Sequence, residues 1–264
     1  MGMFRRFSVA ALVLLSVFSA SMARAQLEVG IKCDANKYIM GEKIVMKMMI
    51  RNSTDEPLVF NDVYHNATLE LGIIFGRQLD GIPVRKKLKH DFVVMSGDTI
   101  TEYISMNELY KFQCQGCYQV SITVHYNGRT YTSAPFGFDV VDGIEILSRK
   151  KLLKNHPDIV LTYSLRYLDR NSRETAFIVI TDKEHQVLYG TFRLGPILRV
   201  HKPVLSFNDD GKLVCVHQSG ANRFTRSVIS VSANSAKFER QTQHRANGDL
   251  IRARKKLKEA KLRG

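Results

Sequence analysis

Residues 118–126 read Tyr-Gln-Val-Ser-Ile-Thr-Val-His-Tyr and carry the clearest structural signal of the chain. Apolar or aromatic residues alternate here with polar ones, which is the pattern of a strand with one buried face. Asn127-Gly128 follows at once, and this dipeptide accepts the positive φ angles of a type I′ turn. The segment therefore predicts a β-hairpin whose return runs from Arg129 to Val141.

The same period of two extends outward on both sides of this hairpin. It predicts earlier strands at 27–33, 44–50 and 100–104, with a helical turn at 106–110. About seven strands in roughly 115 residues is the size and rhythm of an immunoglobulin-like sandwich. Beyond Asp142-Gly143 the pattern predicts a short helix in the basic stretch 149–154, then strands at 159–167, 175–181 and 186–193, and a hairpin from 203 to 217 across Asn208-Asp209-Asp210-Gly211.

A family resemblance covers residues 26–141. The pattern Gly116-x-Tyr118-x-Val120-x-Ile122, preceded by Ser-Gly-Asp-Thr at 96–99 and closed by Phe-Gly-Phe-Asp-Val at 136–140, resembles bacterial immunoglobulin-like domains. The proteinase-inhibitor-like sandwiches are the nearest family. The resemblance implies a sandwich fold and, as an alternative function, proteinase inhibition, with no residue role carried over.

A second resemblance lies near residues 203–231. The run from Gly211 to Arg226 is similar to one blade of a β-propeller. One or two blades cannot close a ring, which takes at least four. The sequence therefore predicts an all-β chain, with an immunoglobulin-like sandwich at 26–142 and a second small antiparallel β domain at 143–249.

The first 25 residues have the pattern of a signal peptide. Arg5 and Arg6 precede an apolar run of about a dozen residues, and Ala23-Arg24-Ala25 supplies the small residues of a cleavage site. The run is shorter than the roughly 20 residues of a spanning helix. We expect an exported protein, periplasmic or extracellular after cleavage before Gln26.

The last segment, 250–264, is strongly basic. The chain has a formal charge of +14, and this tail holds seven cationic residues against Glu259. Clustered Lys and Arg bind polyanions by releasing counterions. The tail is the predicted contact for an anionic envelope polymer, and it allows peripheral membrane contact, whereas a solvated terminus is the alternative. Its candidate residues are Arg252, Arg254, Lys255, Lys256, Lys258, Lys261 and Arg263.

Cys114-Gln-Gly-Cys117 is the most conspicuous chemical motif. It precedes a strand, whereas thioredoxin-type chemistry needs it at the start of a helix, so a local Cys114–Cys117 disulfide is the leading prediction in an oxidising compartment. Cys33 is predicted to be buried, with Cys215 either buried or bridged to it. A redox or metal-binding protein using the CxxC motif, with Cys215 and His217, is the rival interpretation.

The remaining motifs favour binding over catalysis. Met46 and Met48 share a face with Ile44 and Ile50, which predicts core packing rather than a Cu(I) site. The sequence contains no nucleophile elbow, zinc-protease helix or phosphate loop. We therefore expect a noncatalytic exported binding or scaffold protein, with no catalytic residue, metal or cofactor, whose partner is a protein or an anionic envelope polymer and not a specific nucleic acid.

Overall fold

The computed structural model describes residues 27–76, 84–89, 91–153, 156–170, 172–182, 184 and 187–245. Within these ranges the chain forms nineteen β-strands and one helix of four residues. Nearly all strand pairs are antiparallel, and the strands make several small sheets. The predicted all-β fold class is confirmed. The predicted signal peptide at 1–25 and the basic tail at 250–264 lie outside the described residues.

Eleven strands and the helix belong to the N-terminal half. The elements are β1 (Leu27–Cys33), β2 (Lys37–Ile39), β3 (Val45–Asn52), β4 (Leu58–Phe60), β5 (Ala67–Phe75), β6 (Val84–Leu88), β7 (Phe92–Val94), β8 (Thr99–Ser105), α1 (Met106–Leu109), β9 (Gly116–Tyr126), β10 (Arg129–Thr132) and β11 (Phe136–Val141). One sheet has the order β1-β3-β8, and the other has the order β2-β11-β9-β5-β6, with β10 also pairing with β9. β4 and β7 form a separate pair.

The predicted central hairpin is present. Asn127 and Gly128 have φ angles of 47° and 70°, the positive values that a type I′ turn needs. The return strand is divided: β10 pairs with the end of β9, and β11 pairs with its beginning. Between them Ser133 donates its backbone N–H to the Ile122 carbonyl (2.9 Å), and the register shifts by one residue. Pro135, which has no N–H to donate, lies at this break.

The core of the N-terminal half lies between its two larger sheets. Met46 and Met48 are fully buried in it, as predicted from their shared face with Ile50. Tyr118 is also buried and donates its hydroxyl to the Cys114 carbonyl at 2.9 Å. This bond ties the start of β9 to the loop before it.

Eight strands form the C-terminal half as two antiparallel sheets, each running in sequence order. The first contains β12 (Ile144–Leu153), β13 (His156–Arg170), β14 (Arg173–Asp182) and β15 (Leu188–Pro196). The second contains β16 (Val204–Phe207), β17 (Leu213–Gly220), β18 (Arg223–Val231) and β19 (Ala236–Arg245). The sheets share one core, to which each contributes buried residues such as Leu165, Ile178, Cys215 and Ile229.

The helix predicted in the stretch 149–154 is wrong. Residues 149–153 belong to β12 and pair with β13, with Arg149 opposite Tyr163. Leu153 is buried in the core, and the Lys151 ammonium lies 4.3 Å from the Phe207 ring centre. Long-range pairing with β13 overrides the helical preference of a basic segment, since local propensity is the weaker term.

The two halves meet through a third, smaller core. Ile39 packs with Leu168, Phe177 and Val179, and Val141 contacts the same cluster. Gly143 connects the halves at a φ of +70°, and a Cβ there would lie 2.9 Å from the Tyr167 carbonyl oxygen. A glycine is therefore required at this crossing.

A buried ion pair lies beside this core. The Arg170 guanidinium donates to both carboxylate oxygens of Glu42, at 2.9 Å for Nη1 to Oε1, and both residues are under 10% exposed. The guanidinium carbon of Arg170 lies 5.0 Å from the Tyr38 ring centre and 5.2 Å from the Phe177 ring centre. Two-point hydrogen bonding with ring faces on the cation is the geometry that arginine favours in ion pairs. This pair joins β13 to the segment after β2.

Replacing Arg170 alone should strongly destabilise the chain. Arg170→Met leaves the Glu42 carboxylate buried without its partner, which costs about 3–5 kcal/mol. Arg51→Met is the matched control, since Arg51 and Glu28 form an exposed pair whose loss costs about 0–1 kcal/mol. Urea unfolding of both variants measures the difference. Equal free energies of unfolding for the two variants would show that the buried pair has no special role.

Candidate functional site

Four arginines without carboxylate partners lie on the last hairpin, formed by β18 and β19. Arg223, Arg240 and Arg245 are exposed and Arg226 is half-buried. None of their guanidinium groups forms an ion pair or hydrogen bond in the part of the chain that the structure describes. We call Arg223, Arg226, Arg240 and Arg245 the arginine cluster.

Strand register arranges the arginine cluster as two pairs on opposite faces of the hairpin. Arg223 lies directly opposite Arg245 on the face that also carries Gln241, and Arg226 and Arg240 are diagonal neighbours on the other, outward face. Directly opposed side chains have Cβ atoms about 5 Å apart, and diagonal neighbours are about 7–8 Å apart. Like charges at these separations destabilise the sheet. An anion that bridges the two guanidinium groups of a pair would remove the repulsion between them.

The hairpin is held firmly against the first sheet of its half. Ile229 is fully buried, and Phe238, directly opposite it, packs on the same core. The Gln241 amide donates to the Leu194 carbonyl (2.8 Å) and to the Ser227 hydroxyl (3.1 Å). These contacts fix β19 to β15, so the arginine cluster projects from an ordered strand pair.

An aromatic side chain adjoins the cluster. Phe224 shares the outward face with Arg226 and is half-buried. The His201 ring lies 5.6 Å from the Phe224 ring, centre to centre. The surface therefore combines cationic groups with a flat apolar area, which suits a polymer that carries both anionic groups and rings.

Some cationic side chains of the C-terminal half do have anionic partners. Arg199 donates to Glu174 (2.6 and 2.8 Å), and Lys212 lies 2.9 Å from Glu239. The ammonium of Lys212 lowers the pKa of Glu239.

The charge pattern of the sequence predicts polyanion binding in the tail and does not identify the arginine cluster. The tail residues 252–263 lie outside the described residues, so their role stays a prediction. A sequence signal exists, since β18 and β19 contain five cationic residues against Glu239. The opposition of Arg223 and Arg245, however, depends on a register shift between Val228 and Ile229, which a sequence pattern does not reveal.

The structure separates the candidate redox or metal residues. Cys114 and Cys117 lie just before and within β9 as free cysteines, Cys114 exposed and Cys117 half-buried. Cys215 and His217 are buried on β17 in the other half. Among the described residues, no three His, Cys, Asp or Glu side chains are placed to share a metal ion. The Cys114–Cys117 disulfide stays a prediction.

The other two cysteines occupy different cores. Cys33 is 3% exposed in the N-terminal core, and Cys215 is fully buried in the C-terminal core, so the predicted burial of Cys33 is confirmed. Burial raises the pKa of both thiols to about 12. Both are therefore packing residues, and a bridge between them is excluded by their separate cores.

His217 is a buried histidine with one partner. It is 1% exposed, and its Nε2 lies 3.2 Å from the Pro196 carbonyl oxygen. Nδ1 has no hydrogen-bond partner. Burial lowers the pKa of the imidazole, because the charged form is poorly solvated there.

A shallow, open depression of about 350 Å³ lies near the loop after β4. It is lined by Asn61, Asp62, Val63, Lys89 and Asp91. Among the helices that the structure describes, none has the length and apolar character needed to cross a bilayer.

Comparison with known proteins gives no family. No family model and no curated protein matches the chain. Solved structures with partial similarity include the alkylpurine DNA glycosylase AlkC of Pseudomonas fluorescens (14% identity, 44% of this chain and 30% of that one, TM-score 0.32). A β-glucosidase of Listeria innocua has 15% identity over 44% of this chain and 16% of that one, with a TM-score of 0.27. The sporulation control protein Spo0M of Bacillus subtilis has 9% identity over 64% of this chain and 91% of that one, with a TM-score of 0.27.

The chain spans under a third of the glycosylase and under a fifth of the glucosidase. At these TM-scores, none of the three similarities assigns a function.

Thiol accessibility should divide the cysteines into two pairs. In fully reduced native protein, a thiol reagent should modify Cys114 and Cys117, while Cys33 and Cys215 should react only after unfolding because they are buried with raised pKa values. Mass spectrometry of labelled peptides identifies the sites. If the predicted disulfide forms, neither Cys114 nor Cys117 reacts before reduction. Native labelling of Cys215 would contradict its buried position.

Stability should fall at mildly acid pH through His217. The pKa of His217 in the folded chain lies below the usual 6.5. The stability that comes from burying neutral His217 is therefore complete above pH 6.5 and is lost as pH falls toward the folded pKa. Uptake of one proton changes the free energy of unfolding by at most about 1.4 kcal/mol per pH unit. His217→Gln should flatten the unfolding free energy between about pH 7 and 5, relative to the exposed-site control His65→Gln. Identical slopes for both variants would contradict this role.

Proposed function

We propose that this chain is a noncatalytic, exported binding protein of the cell envelope that holds an anionic polymer. The arginine cluster, together with the basic tail at 250–264, forms the contact. The observation that carries the proposal is the set of four arginines without carboxylate partners on one hairpin. Export is supported by the signal-like pattern of residues 1–25.

Guanidinium chemistry suits such a partner. Each guanidinium donates paired hydrogen bonds to carboxylate, phosphate or sulfate groups, and it stays charged at every physiological pH. Because Arg223 and Arg245 already repel each other, neutralisation by one anionic group relieves repulsion as well as adding contacts. Binding should release counterions and weaken as salt rises.

The tail would extend the same surface. Arg245 ends β19, and the basic tail begins five residues later, at 250. A tail tethered beside an ordered site contributes through effective concentration, so each part strengthens binding by the other.

The N-terminal half is proposed to be an immunoglobulin-like domain. Two features support this: its sheet orders β1-β3-β8 and β2-β11-β9-β5-β6, and the Tyr118 hydroxyl bonded to a carbonyl four residues upstream. A tyrosine with this bond near the start of the corresponding strand is a hallmark of such sandwiches. Domains of this kind commonly present binding surfaces.

Removing charge from the arginine cluster should weaken polymer binding. The probes are fluorescein-labelled polyphosphate and polygalacturonate, and the readout is fluorescence anisotropy over a range of salt concentrations. Arg223→Gln/Arg245→Gln and Arg226→Gln/Arg240→Gln should each reduce affinity about tenfold at low salt, since an exposed ion pair contributes about 0.2–1 kcal/mol. The slope of log affinity against log salt should become shallower in both variants.

A matched control separates a site from general positive charge. Lys86→Gln/Lys87→Gln removes two cations from the exposed strand β6 of the other half. This variant should keep nearly full affinity. Equal losses from the control and from the arginine variants would refute a site at the arginine cluster, and unchanged binding in all variants would do the same.

A further inference from the structure

Strand β8 is an edge strand with an open side. Within the described residues it pairs only with β3, in seven consecutive rungs from Ser105 opposite Val45 to Thr99 opposite Arg51. No register shift interrupts this ladder. Ile100, on its core-facing side, is only half-buried, which is consistent with no element covering the edge.

Two backbone hydrogen bonds at the ends of β8 show which of its N–H and C=O groups point toward β3 and which point away. Asn52 donates its N–H to the Asp98 carbonyl, and Met106 donates its N–H to the Ile44 carbonyl, each at 2.9 Å. Bonding residues alternate along an antiparallel pair. The even-numbered residues of β8 therefore bond to β3, and the odd-numbered ones direct their N–H and C=O groups outward: Thr99, Thr101, Tyr103 and Ser105.

The other sheet edges carry features that discourage strand addition. β12, β15 and β19 have register shifts, and β15 ends in a proline. β6 is strongly basic, and β1 contains a glycine and a lysine. The remaining edge strands, β2, β4, β7, β10 and β16, have only three or four residues each. β8 has no proline, glycine, lysine, arginine or bulge. Its one charged residue, Glu102, lies opposite Met48 on the core-facing side.

The charge beside β8 indicates the chemistry of the added strand. On the outward face Tyr103, 69% exposed, lies opposite Lys47, which lies opposite Lys32. Neither lysine forms an ion pair with another described residue. A strand beside β8 would lie about two strand spacings, or roughly 10 Å, from Lys47. Long side chains bridge this distance, and the attraction is strongest at low salt, because roughly 10 Å is the Debye length at 0.1 M.

We propose that the edge of β8 binds an extended segment of a partner protein as an added strand, with acidic side chains on the face of Tyr103. Backbone hydrogen bonds to Thr99, Thr101, Tyr103 and Ser105 would supply affinity, and Lys32 and Lys47 would supply the preference for acidic residues. A second copy of this chain fits less well, because each copy has a formal charge of +14 and brings its own two lysines. The surface shares no residue with the arginine cluster.

The test uses a nine-residue peptide of alternating glutamate and threonine. Hydrogen exchange of the full chain, followed by NMR, should show added protection at the amides of Thr99, Thr101, Tyr103 and Ser105. Thr101→Pro removes one outward N–H while leaving the bonds to β3 intact, so it should abolish binding with little change in the urea midpoint. Thr101→Val, which keeps that N–H, is the matched control and should bind at least as well.

A lysine variant and a cationic peptide test the role of charge, and polyphosphate binding tests whether the two proposed surfaces are independent. Lys32→Gln/Lys47→Gln should weaken binding about fivefold to tenfold, and a lysine-threonine peptide should not bind. Polyphosphate binding should be unchanged in Thr101→Pro. The strand-addition proposal at β8 can therefore fail independently of the proposed polyanion site at the arginine cluster. Absence of protection at β8 in the unmodified chain at millimolar peptide, or equal binding by Thr101→Pro, would overturn the proposal.

Discussion

The arrangement of the molecule depends on one buried ion pair. Glu42 follows β2, the short strand that lies parallel to β11 at the edge of a sheet in the N-terminal half, and its carboxylate binds Arg170 at the end of β13. The same carboxylate accepts the Ile39 N–H at 3.1 Å, which shapes the turn that presents it. Because both charges are desolvated, each needs the other, and any reorientation of the halves would leave two buried charges unpaired.

This constraint has a functional consequence. The two proposed surfaces lie on different halves: the open edge of β8 on the N-terminal half and the arginine cluster on the C-terminal half. With the halves fixed by Glu42–Arg170 and by the Ile39–Phe177 core, a partner protein and a polymer would be held at a constant separation. A rigid chain of this kind would act as a scaffold, because it holds its two partners at defined positions.

Local sequence patterns predicted the parts of the fold that local physics determines. The Asn127-Gly128 turn, the helical turn at Met106 and the core positions of Met46 and Met48 follow from turn chemistry and strand period. Features set by distant partners were not predictable. Glu42 and Arg170 are 128 positions apart, the basic stretch 149–153 became a strand through β13, and the arginine cluster needed the β18–β19 register.

The Glu42–Arg170 pair and the Ile39–Phe177 core should hold both halves as a single rigid unit. Residual dipolar couplings of backbone amides test it most directly, because they report the orientation of each half in solution. We predict that couplings from β3, β5 and β9 and from β13, β14 and β17 fit one alignment tensor with the relative orientation of this structure. Two tensors of different magnitude or orientation would mean that the halves move independently, and would contradict the role assigned to Glu42 and Arg170.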